Sequence, residues 1–160
     1  MHLIREDFYG NRSIVTHINQ GELFAETYAC AGVKALPVSV VAPVDCTCLL
    51  IDCKRITESC TNACEFHNRV IFNLLRIVAN KTILFDQKIE VTSKRSTREK
   101  LMAYLLNIAK TKGSDEFIIP YDRQQLADYL EVDRSGLSSE ISKLKKEGII
   151  DCEKNRFVIL

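Results

Sequence analysis

The stretch Ile118-Ile119-Pro120-Tyr121-Asp122-Arg123-Gln124-Gln125-Leu126-Ala127-Asp128-Tyr129-Leu130-Glu131-Val132-Asp133-Arg134-Ser135-Gly136-Leu137-Ser138-Ser139-Glu140-Ile141-Ser142-Lys143-Leu144-Lys145-Lys146-Glu147-Gly148 reads as helix, tight turn, helix. Asp122 is placed to cap a first helix whose apolar positions are Leu126, Ala127 and Leu130. Glu131-Val132-Asp133 makes the turn, with Val132 filling the angle between the helices. Asp133 or Ser135 caps a second helix that carries Leu137, Ile141 and Leu144 at i, i+4 and i+7, and Gly148 ends it. Two short helices joined this way form a helix-turn-helix.

The polar residues give that motif a use. The second helix has one apolar stripe, and Arg134, Ser135, Ser138, Ser139, Ser142 and Lys143 occupy its remaining surface. Short hydroxyl side chains keep the surface slim enough to approach a DNA major groove, where they can reach phosphates or base edges. Arg134, in the first turn, is the candidate for bidentate guanine recognition, and Arg123 opens the preceding helix. A solvated helix face in an unrelated helical domain is the competing reading of the same pattern.

The flanks extend the motif. Ile149 to Cys152, the polar Glu153-Lys154-Asn155 and Arg156 to Leu160 read as strand, turn and strand, and Phe117-Ile118-Ile119 supplies a third short strand before Pro120. The expectation is a winged helix-turn-helix whose Lys154 and Arg156 reach the DNA backbone.

Charge supports this only weakly. The chain of 160 residues carries a formal net charge of +1, with 9 basic and 10 acidic residues before Ser93 and 13 basic and 11 acidic from it onward. No apolar run is long enough to span a membrane, and the residues after Met1 lack the apolar core of a signal peptide, so the expected address is the cytoplasm. Seven cysteines without an export signal are expected as reduced thiols rather than a disulfide framework. No phosphate-cradling loop and no nucleophile–base pair beyond scattered thiols is visible, so the chain reads as a binding protein and not an enzyme.

Residues 1–57 read as short strands and turns: Ser13 to Ile18, Val38 to Ala42 between Pro37 and Pro43, and Cys48 to Asp52, with a turn at Asn19 to Glu22. From about Glu58 to Glu90 the period becomes helical. Phe66, Val70, Ile77 and Leu84 mark one set of positions, and Ile71, Leu74, Val78 and Phe85 a neighbouring one. So broad an apolar face beside a small sheet is expected to pair with the same helix of a second subunit. Ser93 to Thr97 reads as a polar, basic hinge, followed by a helix from Thr97 to about Lys112. The expected domains are therefore 1–57, 58–92 and 93–160, and the fold class is α+β: a partial antiparallel β-roll, a long dimerisation helix and a C-terminal winged helix-turn-helix.

This order resembles the Crp/Fnr family of bacterial transcription regulators. The resemblance is carried by Gly21-Glu22-Leu23-Phe24-Ala25-Glu26, by Arg98-Glu99-Lys100-Leu101, by Ile119 through Leu130, and by Val132-Asp133-Arg134-Ser135 through Gly148. It implies a cyclic-nucleotide-binding-type roll, a dimer helix, and an effector that reorients the DNA-binding domains. It implies double-stranded DNA and a second copy of the chain as partners, with RNA polymerase as a further one, and groove contacts from Arg134, Ser135, Ser138 and Ser139. Family members often carry an acidic residue where Ser135 stands and an arginine where Ser139 stands, so the familiar palindromes are not expected.

In the family's cyclic-nucleotide binders a Gly-Glu pair and an Arg-Ser pair hold the ligand. Here the first pair matches Ala25-Glu26, and the second falls on Leu36-Pro37 ahead of Val38-Ser39-Val40. A phosphate without its arginine would lose several kcal/mol of pairing, so cyclic AMP is not the expected effector. The effector-pocket candidates are Ala25, Glu26, Leu36, Pro37 and Ser39. Met1 falls partway through the family's roll, so its opening strands are expected to be missing, through truncation or abbreviation.

Cys60, Cys64 and His67 fall at i, i+4 and i+7 near the start of the long helix, and Cys46, Cys48 and Cys53 lie just before it. These are candidate ligands for a metal ion or an iron–sulfur cluster, or candidate redox thiols. Against that, Cys-x3-Cys-x2-His is no standard metal signature, and buried cysteine commonly serves as a small hydrophobe. The rivals to the main reading are a thiol- or metal-responsive regulator of the same fold, and a degenerate interaction module that heterodimerises with a full-length regulator.

Overall fold

The computed structural model describes residues 1–57 and 64–160. Its elements run β1 (His2–Glu6), β2 (Arg12–His17), α1 (Glu26–Cys30), β3 (Ser39–Val41), α2 (Cys53–Thr57), α3 (Glu65–Thr92), α4 (Thr97–Lys112), β4 (Glu116–Ile118), α5 (Arg123–Leu130), α6 (Arg134–Lys146), β5 (Ile150–Glu153) and β6 (Arg156–Ile159). Two three-stranded antiparallel sheets result, ordered β2-β1-β3 and β4-β6-β5. The fold is α+β, and no helix among the described residues is long and apolar enough to cross a membrane.

Local chemistry sets the helix ends. Ser96 accepts from the amide of Glu99 while the Glu99 carboxylate accepts from the amide of Ser96, so α4 starts in a capping box. Asp122 and Gln125 repeat the device at α5, at 2.8 and 3.0 Å. Gly113 closes α4 at φ 64°, a left-handed backbone where a Cβ is disfavoured. Glu131 takes the equivalent place after α5 at φ 55° without being glycine.

One core cluster joins the C-terminal elements. Leu101 and Leu105 of α4, Leu130 of α5, Leu137 and Leu144 of α6 and Phe157 of β6 are all fully buried. Each such side chain contributes about 1.5–3 kcal/mol through burial. Ile4, Ile14 and Val91 belong to the same cluster, so β1, β2 and the end of α3 pack into the C-terminal core. The seam is aromatic: His2 lies 5.0 Å from His17 and 6.0 Å from Tyr121, which stacks on Tyr129 at 5.0 Å.

Two sequence expectations are corrected. Cys48 to Asp52 forms no strand: Leu49, Leu50 and Ile51 are exposed, because no sheet edge runs alongside them to satisfy their backbone. A strand was overlooked instead at His2–Glu6, and it is the central one. The helix expected from about Glu58 is seen from Glu65 to Thr92; residues 58–63 lie outside the described residues. Ile71, Leu74, Val78 and Phe85 are half-buried on the side that carries Lys81 and Lys88 to the N-terminal sheet. Of the first set, Phe66 and Leu84 are exposed, and a further exposed apolar stripe is formed by Phe72, Leu75, Ala79 and Ile83.

Candidate nucleic-acid interface

Helix α6 begins where Asp133 accepts a hydrogen bond from the amide of Gly136 at 2.9 Å. The Ser135 hydroxyl also donates to Asp133, and these two bonds hold the Asp133 carboxyl below the usual carboxylate range. Leu137, Ile141 and Leu144 lock the inner face into the core. The opposite face then presents Ser135, Ser139, Ser142 and Lys146 at i, i+4, i+7 and i+11, all exposed, with Lys143 beside them. No described element covers that row.

The sequence-derived candidates fall into three groups. Arg134, Ser139 and Lys154 are exposed and make no hydrogen bond or ion pair among the described residues; Lys154 sits at the tip of the wing turn with φ 53°. Ser135, Ser142 and Lys143 are exposed but engaged locally: Ser142 donates to the Ser138 carbonyl at 3.0 Å, and Lys143 pairs with Glu140 at 2.5 Å. Ser138 is half-buried at the flank.

Arg123 and Arg156 are placed differently from expectation. Arg123 is half-buried, its guanidinium 5.9 Å from the Phe157 ring and 3.8 Å from Cys152 Sγ, so it packs against the wing. Arg156 donates to Glu116 at 2.7 Å, a bond across the β4–β6 ladder that also holds the Glu116 carboxyl low. Lys145 is likewise committed, to Asp151 and the Cys152 carbonyl at 2.8 Å each. Lys146, absent from the sequence-derived candidates, completes the outward row; helical spacing from Ser135 is the signal that finds it.

The wing is pinned to the reading head. The Ile119 amide donates to the Asn155 carbonyl at 3.0 Å, and the Asn155 side chain returns a bond to the Ile119 carbonyl at 3.2 Å. Arg98 of α4 forms a bidentate pair with Glu147 just past α6, raising the first and lowering the second in pKa. Helix, wing and α4 thus form one rigid presenting surface.

The N-terminal candidates are not gathered into one pocket. Ala25 adopts a left-handed conformation at φ 60° ahead of α1. Glu26 is buried and bound at 2.9 Å to Lys81 of α3, which also donates to the Leu23 carbonyl. Its carboxylate is therefore spoken for within the fold. Leu36, Pro37 and Ser39 are exposed. A cleft of about 360 Å3 lies elsewhere, between β2, α3 and the turn of the helix-turn-helix, and Ser13, Lys88 and Glu131 line it.

Among the candidate metal ligands, Cys64 Sγ and His67 Nδ1 are 3.5 Å apart, and Cys60 lies outside the described residues. Among the described residues no group of three or more His, Cys, Asp or Glu side chains is arranged to hold a metal ion.

Comparison with known proteins agrees with this geometry. Residues 99–160 match the Crp-like helix-turn-helix domain. The transcriptional activator protein FnrL of Cereibacter sphaeroides is 32% identical over 76 residues, covering 42% of this chain and 31% of that relative. The matched region thus spans under a third of the curated relative's length. In fold, the chain is similar to FixK2 from Bradyrhizobium japonicum, with a TM-score of 0.63 at 15% identity over 99% of this chain and 77% of that one. It is also similar to a putative transcriptional regulator of the crp/fnr family from Eubacterium rectale, with a TM-score of 0.58 at 14% identity over 99% and 71% of the two chains. The chain thus carries, at residues 99–160, a region similar to the Crp-like helix-turn-helix domain.

Proposed function

We propose that this chain is a homodimeric, sequence-specific DNA-binding transcription regulator of the cytoplasm, controlled by an effector other than cyclic AMP. The uncovered row Ser135, Ser139, Ser142 and Lys146 on α6, flanked by Arg134 and Lys143, carries the reading. It supports insertion of α6 into a major groove, with Arg134 at the base edges and Lys143, Lys146 and Lys154 at the phosphates. In vitro selection from random duplexes, followed by footprinting, tests it. Enrichment of a motif with two related half-sites is the expected result; no enrichment overturns it.

The stripe Phe72, Leu75, Ala79 and Ile83 supports dimerisation along α3, since apolar positions at i, i+3, i+7 and i+11 fit a helix–helix seam. Two reading heads related by a two-fold axis then meet two half-sites. RNA polymerase is the further partner expected of a regulator bound at a promoter. The pairing of Glu26 with Lys81 and the exposure of Leu36 and Pro37 argue against a cyclic nucleotide, and calorimetry with cyclic AMP is expected to show no micromolar binding.

A further inference from the structure

We propose that Cys30 and Cys53 are a reversible dithiol–disulfide pair, closed by a low-molecular-weight disulfide such as oxidised glutathione. Cys30 ends α1 and Cys53 begins α2, and their sulfurs lie 3.1 Å apart. Both thiols stand at or near the surface. A covalent bond needs an approach of about 1 Å from this position, since a disulfide spans about 2.05 Å. The two short helices already pack together, so the bond is reached without refolding either.

The chemistry assigns the order of attack. The Cys30 thiol is pushed up to about 11, first by its hydrogen bond to Cys53 and then by burial, which disfavours Cys30 as the first nucleophile. Cys53 gives its proton to solvent and attacks one sulfur of the oxidised glutathione, forming a mixed disulfide and expelling one glutathione thiolate. Cys30, released from its hydrogen bond, gives its proton to solvent and attacks Cys53 Sγ, expelling the second glutathione. Two protein thiols are oxidised by two electrons, and one small disulfide is reduced to two thiols. The new bond closes the loop 31–52, which carries β3 and the exposed Val44, Leu49 and Leu50. It also ties α1, which holds α3 through Glu26 and Lys81, to the segment that leads into α3.

The test needs no DNA and is independent of the proposed recognition function. The full chain is equilibrated with oxidised and reduced glutathione, alkylated after acid quenching and denaturation, and mapped by fragmentation mass spectrometry. The expected result is an intramolecular Cys30–Cys53 linkage that reduced glutathione reverses, with Cys152 remaining alkylated. C53S abolishes the linkage, whereas the C46S/C48S double variant retains it. Linkage of either residue to another cysteine, Cys60 included, or stable glutathione adducts at both positions without a bond between them, overturns the proposal.

Discussion

Ser13, in the edge strand β2 of the N-terminal sheet, donates its hydroxyl to the carboxylate of Glu131 at 3.1 Å across 118 residues of sequence. Glu131 is the left-handed residue that ends α5, and Lys88 of α3 lies 3.9 Å from the same carboxylate and 4.9 Å from the Tyr129 ring centroid. Sheet, long helix and reading head therefore converge on the turn of the helix-turn-helix. A change in the N-terminal sheet has a direct mechanical path to α5.

Arg134→Ala is expected to cost about 1–3 kcal/mol on the selected duplex and to relax its specificity, because a base contact is lost. Lys146→Ala is expected to weaken all sequences alike and to reduce the salt slope of binding by about 1, as a phosphate contact does. Titration by fluorescence anisotropy at several salt concentrations separates the two. Salt-like behaviour of both variants means that Arg134 does not read a base.

The α3 seam predicts that Phe72→Glu combined with Ile83→Glu yields monomers by multi-angle light scattering. Both side chains are more than half exposed within one chain, at 64% and 57%, so the monomer's circular dichroism is expected to stay unchanged. A dimer that survives both glutamates refutes the α3 seam.

Glu26→Ala leaves Lys81 without its carboxylate in a half-buried site. The expected destabilisation is about 3 kcal/mol, the low end for a broken buried pair, because Lys81 keeps some contact with water. Pairing it with Lys81→Met is expected to recover most of the loss. Urea unfolding midpoints decide this, and additive losses in the double variant would contradict the pairing.

The seam between sheet and reading head also sets a pH dependence. Burial is the main cause holding His2 and His17 below the usual histidine value of 6.5. Between the lowered native values and 6.5 the unfolded chain binds more protons than the native one. Stability is therefore fully present above about pH 6.5 and is lost as pH falls below it. His2→Phe, which keeps a ring against Tyr121, is expected to flatten the fall in melting temperature between about pH 7 and about pH 5. An unchanged slope in that variant excludes His2 as a contributor.

The C-terminal half was legible because its signals are local. Asp122 sits at the cap it was expected to make, Asp133 rather than Ser135 caps the second helix, and Leu137, Ile141 and Leu144 point inward as their spacing requires. The N-terminal half was read less well, since its order depends on distant partners. Leu49 and Leu50 are as apolar as a strand but find no edge, while His2 to Glu6 becomes the central strand only because Arg12–His17 and Ser39–Val41 flank it. Ion pairs were illegible for the same reason: nothing near Arg156 in sequence announces Glu116, 40 residues away. Which part of the broad apolar face of α3 stays uncovered was not legible, because only contacts from Lys81 and Lys88 show which side meets the sheet.

Ile4 and Ile14 sit in the same buried cluster as Phe117 and Leu126. For protein engineering this makes the reading head a poor interchangeable cassette. A chimera grafting residues 97–160 onto a foreign sensor would arrive with two isoleucine-sized holes and an unroofed Tyr121–Tyr129 stack. The borrowed sensor would have to supply those two side chains first, whatever signal it was chosen to detect.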